Sequence, residues 1–138
     1  MKGPATVSRS RYVLDSYAIL AFLQQEAGWA RTKELLQAAA SGDIELHMSA
    51  INLAEVQYLI TRRGRDVPQR LAALESLPLK VASADAYLPQ IVDLKAKYPL
   101  SLADCFAAAL ALDLNCPLVT GDPEFHLLES VITVEWLG

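Results

Sequence analysis

Short apolar runs alternate with longer segments of helical period along this chain, and turn residues mark the changes between them. Tyr12 to Leu14 is a β-prone run, and Ser16 to Gln24 follows with helical composition behind Asp15, a suitable N-cap. Ala27 to Ala40 reads as a second helix, with Ala30, Leu35, Leu36 and Ala39 apolar, and Ser41-Gly42-Asp43 breaks it before the β-like Ile44 to Met48. Ser49 is placed to cap a helix that runs to about Arg63 and stops at Gly64. Asp66-Val67-Pro68 is a start signal for a helix over Val67 to Leu77, and Leu79 to Ala82 is a brief strand. Ala84 to Lys97 has helical pattern and ends at Tyr98-Pro99. Ser101 opens a helix to about Leu114 that is apolar almost all round, so it should lie centrally and be buried. Pro117 to Thr120 gives another strand, Pro123 to Leu128 a short helix, and Val131 to Trp136 a last strand.

Strands that alternate with helices predict an α/β fold with a mostly parallel sheet of about five strands, because parallel neighbours need crossovers and helices usually supply them. In such sheets ligands bind outside the carboxyl ends of the strands. A length of 138 residues, 53% of them hydrophobic, suits one domain with a continuous core over residues 12–138. Residues 1–11, with Lys2, Arg9 and Arg11, read as a flexible basic arm. No apolar stretch approaches the roughly 18 residues that span a bilayer, and the opening segment lacks the apolar core of a signal peptide, so a cytoplasmic protein away from membranes is expected. Cys105 and Cys116 have no CxxC spacing and no neighbouring histidine, and both read as reduced core thiols.

Sixteen acidic residues against twelve basic ones argue against nucleic-acid binding through an overall positive field. A local strip remains: Arg62, Arg63, Arg65 and Arg70 fall within nine residues. It reads equally well as a phosphate-binding surface or as cations favoured by a helix C-terminus.

Four carboxylates stand where elements change: Asp15, Glu55, Asp104 and Asp122. Asp15 and Asp122 directly follow predicted strands, and Glu55 and Asp104 sit in early turns of helices that can face the same sheet edge. Each of three has a plain local explanation. Asp15 and Asp122 can cap the helices that follow them, and Ser101 with Asp104 fits a capping box. Glu55 has none: it lies about two turns into its helix, Ile51 and Leu59 mark its side as core-facing, and no Lys or Arg lies within four residues. A carboxylate so placed needs a cation, and one shared cation accounts for all four.

Zinc is disfavoured because His47 and His126 lack ligand spacing, and GxGxxG, GxxxxGK[ST] and GxSxG are all missing. Oxygen ligands alone select magnesium or manganese, and such a site suits phosphodiester hydrolysis.

Four segments, taken in order, carry a resemblance. Val13-Leu14-Asp15-Ser16-Tyr17-Ala18-Ile19-Leu20, Ser49-Ala50-Ile51-Asn52-Leu53-Ala54-Glu55-Val56, Leu100-Ser101-Leu102-Ala103-Asp104-Cys105 and Leu118-Val119-Thr120-Gly121-Asp122-Pro123-Glu124-Phe125 resemble the acidic motifs of PIN domains, the VapC toxins of toxin–antitoxin pairs above all. The similarity runs from about Tyr12 to Leu137. It implies the three-layer α/β/α fold of that family and a magnesium-dependent endoribonuclease, with manganese a plausible substitute. Asp15, Asp104 and Asp122 would hold metal directly or through water, and Glu55 would join them and position or deprotonate the attacking water. Ser16 and Thr120 match positions of a supporting hydroxyl, whereas Tyr17 is bulkier than the small residue usual there. The resemblance also implies homodimers and a VapB-type antitoxin that covers the acidic site. In this reading the Arg62 to Arg70 strip grips the RNA backbone. Two readings of other classes stand beside it: a PIN-like module that binds RNA or protein without turnover, and a phosphoacceptor receiver domain, which also clusters carboxylates at strand ends.

Overall fold

The structure is a computed structural model that describes residues 9–138. Five strands form one sheet in the order β3-β2-β1-β4-β5: β1 is Ser10–Leu14, β2 Ile44–Ser49, β3 Lys80–Ala82, β4 Leu118–Thr120 and β5 Val134–Trp136. Every neighbouring pair is parallel, with Tyr12 opposite Leu46, Leu14 opposite Val119, and Thr120 opposite Trp136. This order differs from the 2-1-3-4-5 order of receiver domains, which removes that reading. The basic arm expected over residues 1–11 falls largely outside the described residues, and Ser10 and Arg11 already belong to β1.

Period-two alternation in the strands builds two cores from one sheet. Val13 and Leu118 face one side, where α5 (Leu88–Lys97) and α6 (Leu102–Leu114) pack with Ile91, Leu94 and Ala107 to Ala111. Leu14 and Val119 face the other, against α1 (Ser16–Gln24), α2 (Trp29–Ala40), α3 (Ala50–Arg63) and α4 (Val67–Glu75), through Ile19, Leu35, Leu36, Val56, Ile60 and Leu74. The result is the expected three-layer α/β/α arrangement. α6 is buried along most of its length, as its all-round apolar sequence requires. Cys105 is buried and Cys116 half-buried, and both are free thiols that burial pushes up, Cys116 to about 11. Among the described residues no helix is long and apolar enough to cross a membrane.

Several boundaries differ from the sequence reading for identifiable reasons. The helix expected from Ala27 starts at Trp29, because Gly28 is its N-cap in the left-handed region at φ +87° and packs where a β-carbon would stand 2.7 Å from that of Leu137. The helix expected over Ala84 to Lys97 is split into a 3₁₀ turn over Ala84–Tyr87 and α5, since Pro89 has no N–H to continue one ladder. The short helix after Asp122, Pro123–Leu128, is also 3₁₀. β5 is shorter than expected because Ser130 to Thr133 are spent on turns.

Candidate active site

β1 and β4 lie side by side, with β2 and β3 continuing to one side and β5 to the other, so the chain's crossovers diverge at this pair. The crevice at their carboxyl ends is where such a sheet binds ligands. Asp15, immediately after β1, is 2% exposed. Its Oδ1 accepts from the Ala18 N–H at 2.9 Å, and its Oδ2 accepts from the Thr120 hydroxyl at 2.5 Å. The same Thr120 oxygen accepts from the Asp122 N–H at 3.0 Å, so one hydroxyl ties the two strand ends together. Burial pushes the Asp15 carboxyl up to about 7; these hydrogen bonds restrain it, while the charges of Asp122 and Glu55 add to the rise.

Asp122 Oδ1 accepts from the Glu124 N–H at 2.9 Å, capping the 3₁₀ turn that Pro123 begins. Across the crevice, Ser101 caps α6 by accepting from the Asp104 N–H at 3.1 Å. The Asp104 side chain is 9% exposed, and its Oδ2 is buried without a hydrogen-bond partner among the described residues. Burial, and then the approach of Glu124 and Asp122, raise the Asp104 carboxyl well above the ordinary range. The capping explanations are therefore correct for Asp15 and Asp122, and they do not compete with a site. A cap fixes the backbone and the rotamer, and the carboxylate retains lone pairs toward the crevice.

Glu55 is half-buried and lines the same cleft, but its helix is rotated from the expected orientation. Ile51 is 40% exposed, and the buried stripe of α3 is Asn52, Val56 and Ile60. Glu55 thus flanks the core stripe and opens to the crevice. The i−4 and i+4 neighbours of Glu55 are apolar, which is why the pattern misplaced the stripe by one position.

Asn52 is a residue the sequence reading passed over. Its backbone carbonyl accepts from the Ser16 hydroxyl at 3.2 Å, and its Nδ2 donates to the Ala103 carbonyl at 3.1 Å. It straps α1, α3 and α6 together beside Glu55, Asp104 and Asp15, the N-cap of α1. A buried polar side chain in an apolar stripe was the available signal. Glu124 was also missed. Asp104, Asp122 and Glu124 each offer a carboxylate oxygen, all within 4.8 Å of one another. An acidic residue in a first helical turn looks like a partner for the helix dipole, which masked it.

The cleft encloses about 220 Å3 and is lined by carboxylates, Ser16, Ser101 and the apolar edges of Tyr17, Leu20 and Leu59, with no cationic side chain, His or Cys among the described residues. The bulk of Tyr17 is accommodated by Gly121, where any β-carbon would fall on the Tyr17 ring. Buried carboxylates without a cation repel one another, and an oxygen-only donor set with one orphaned buried oxygen fits a hard divalent ion. The arginine strip lies elsewhere. Arg63, Arg65 and Arg70 surround a hollow of about 470 Å3 at the end of α3, and Arg62 instead covers the Tyr58 ring at 5.2 Å. Eight residues separate Arg63 from Glu55, about 12 Å along the helix.

Comparison with known proteins agrees with the fold. Among solved structures the chain is similar to VapBC2 from Rickettsia felis, bound to a DNA fragment from their promoter, at a TM-score of 0.69 and 22% identity over 93% of this chain and 99% of that one. VapBC from Salmonella typhimurium, also DNA bound, gives 0.67 and 22% over 91% and 97%. Mycobacterium tuberculosis VapC20, described as a sarcin-ricin loop cleaving toxin, gives 0.66 and 17% over 88% and 96%. No curated protein matches the sequence significantly. The family model of the PIN domain matches residues 12–130, which span all four acidic motifs and the whole crevice they line, and by that match this chain belongs to the PIN domain family.

Proposed function

We propose that this protein is a metal-dependent endoribonuclease and the toxin of a VapBC-type pair. The observation that carries the reading is the cleft itself: Asp15, Glu55, Asp104, Asp122 and Glu124 converge on it, and among the described residues no cationic side chain lines it and one buried Asp104 oxygen is unpaired. Asp15, Asp104 and Asp122, joined by Glu55, would hold magnesium, with manganese as a substitute. Such an ion supplies a lowered pKa for water and charge to oppose that of the phosphate.

The chain's own groups supply the rest. Thr120 and the Ala18 N–H hold Asp15 in one orientation, so its remaining lone pairs point consistently into the cleft. Glu55, on the rim, orients the attacking water and accepts its proton as the water oxygen bonds to phosphorus and the P–O bond to the leaving ribose breaks. Ser16 acts at one remove by anchoring α1 to α3 through Asn52. The arginines around the hollow at the end of α3 would hold the backbone of an RNA strand that runs on from the cleft.

Purified protein should cut RNA with magnesium or manganese and stop with chelator. Asp15→Asn or Asp104→Asn should reduce cleavage at least 100-fold while the fold is retained; full activity in either would sink the assignment. The likeness to VapBC complexes supports an antitoxin that covers this cleft, and a cytoplasmic location follows from that role. Leu88 and Val92 of α5 and Val81 of β3 are exposed apolar residues that support a homodimer. Co-purification of a small antitoxin-like protein that abolishes cleavage, and a dimeric mass in solution, are the corresponding checks.

A further inference from the structure

One aromatic pair lies outside the lining of the acidic cleft and is not used by the metal chemistry. His126 and Trp136 stack with ring centroids 4.2 Å apart and planes 25° from parallel. Glu129 holds both rings: its Oε1 lies 2.9 Å from His126 Nδ1, and its Oε2 accepts from the Trp136 Nε1–H at 3.2 Å. Trp136 packs inward on the α6-side core, whereas the His126 side chain is 61% exposed. One face of the imidazole is therefore backed by the indole, and the other is open.

The pair is linked to the proposed site through the sheet and the 3₁₀ turn. Trp136 is the register partner of Thr120, the residue that links Asp15 to Asp122, so the two side chains leave adjacent strands, about 4.8 Å apart, on one face of the sheet. His126 lies on the same 3₁₀ turn as Glu124, four residues beyond Asp122. Among the described residues the only charged group holding the rings is a carboxylate, which repels phosphate and leaves a planar, uncharged ligand as the fitting partner. Nucleobases are such ligands, and single-stranded RNA is commonly held by stacking its unpaired bases on aromatic and histidine rings.

We propose that the His126–Trp136 pair is a stacking platform for an unpaired base of the RNA strand flanking the scissile phosphate. His126 makes the contact, Trp136 is its back plate, and Glu129 is a positioning residue that fixes the ring plane. The proposal rests on the ribonuclease reading above and assigns it a substrate-binding surface.

The test uses the full chain carrying Asp15→Asn, with magnesium, and fluorescently labelled single-stranded oligoribonucleotides of about ten nucleotides read by anisotropy. Adding His126→Ala should weaken binding about 5- to 150-fold, the equivalent of one stacked base. His126→Phe, which keeps a ring, should restore most of the affinity. An abasic nucleotide walked along the strand should reach one position where the parent weakens to the level of His126→Ala and that variant loses nothing further. Equal affinity of parent and His126→Ala overturns the platform, as does equal weakness of the Ala and Phe variants. Cleavage of the same strands by the chain with Asp15 intact separates the two readings. Cleavage without a His126 effect overturns the platform alone, a His126 effect without cleavage upholds base stacking at His126 but overturns the nuclease and the placement beside a scissile phosphate, and the absence of both binding and cleavage overturns both.

Discussion

The metal-free protein should lose stability as pH rises through the neutral range, opposite to the usual behaviour of a carboxylate. Asp15 is raised from 3.8 to about 7 by burial. Between those values the folded state holds a proton that the unfolded chain has released, so stability falls with each step in pH. The contribution is fully present below the unfolded value and is lost once pH passes the folded one. The interval from about pH 5 to about pH 7 lies inside this window, and at about 1.36 kcal/mol per pH unit it removes about 3 kcal/mol. For a domain of this size that is a fall of about 10 °C in Tm. Asp104 is raised as well and adds to the slope. Glu45 and Glu129 are pulled the other way, by His47 and Lys80 and by His126 and Trp136, but they act below their ordinary value of 4.5 and so outside the interval from about pH 5 upward. Guanidinium unfolding at pH 5 and pH 8 in excess chelator, with Asp15→Asn alongside, measures the effect. Asp15→Asn should remove the share of the slope that Asp15 contributes, leave that of Asp104, and stabilise the protein at pH 8, and magnesium should restore the parent there by binding only the folded form. A parent whose metal-free stability is level or rises from pH 5 to 8 would refute the reasoning, as would an Asp15→Asn variant with an unchanged slope.

Three further outcomes follow from the same contacts. Thr120→Val keeps the shape but leaves an Asp15 oxygen and the Asp122 N–H unpaired, so it should cost about 1–3 kcal/mol in denaturant unfolding and move the acid limb of cleavage to higher pH. Asn52→Leu removes the strap from α3 to α6, and kcat should fall at least tenfold with KM little changed, since one wall of the cleft shifts while the RNA contacts remain. Arg63→Ala, Arg65→Ala and Arg70→Ala should each reduce the salt dependence of RNA binding by about one unit of slope, and Arg62→Ala, whose guanidinium is engaged with Tyr58, should change it less.

The sequence by itself determined the alternation of strands and helices, most helix starts, and the four acidic positions that line the cleft. These depend on local chemistry: Ser49 and Ser101 cap the helices expected of them, Gly64 stops α3 in the left-handed region, and Asp15 and Asp122 sit where strands must turn. Four ordered motifs were enough to suggest the family, because their spacing along the chain survives without coordinates. Tertiary structure alone decided the strand order, the rotation of α3 that exposes Ile51 and buries Asn52, and the meeting of Glu124 with Asp104. It also parted Arg62 from Arg63, Arg65 and Arg70, and backed His126 with Trp136. The physical reason is distance along the chain. A cap or a helical period is settled within a few residues, whereas Thr120 and Asp15 lie 105 positions apart and meet only because β1 and β4 are neighbours in the sheet.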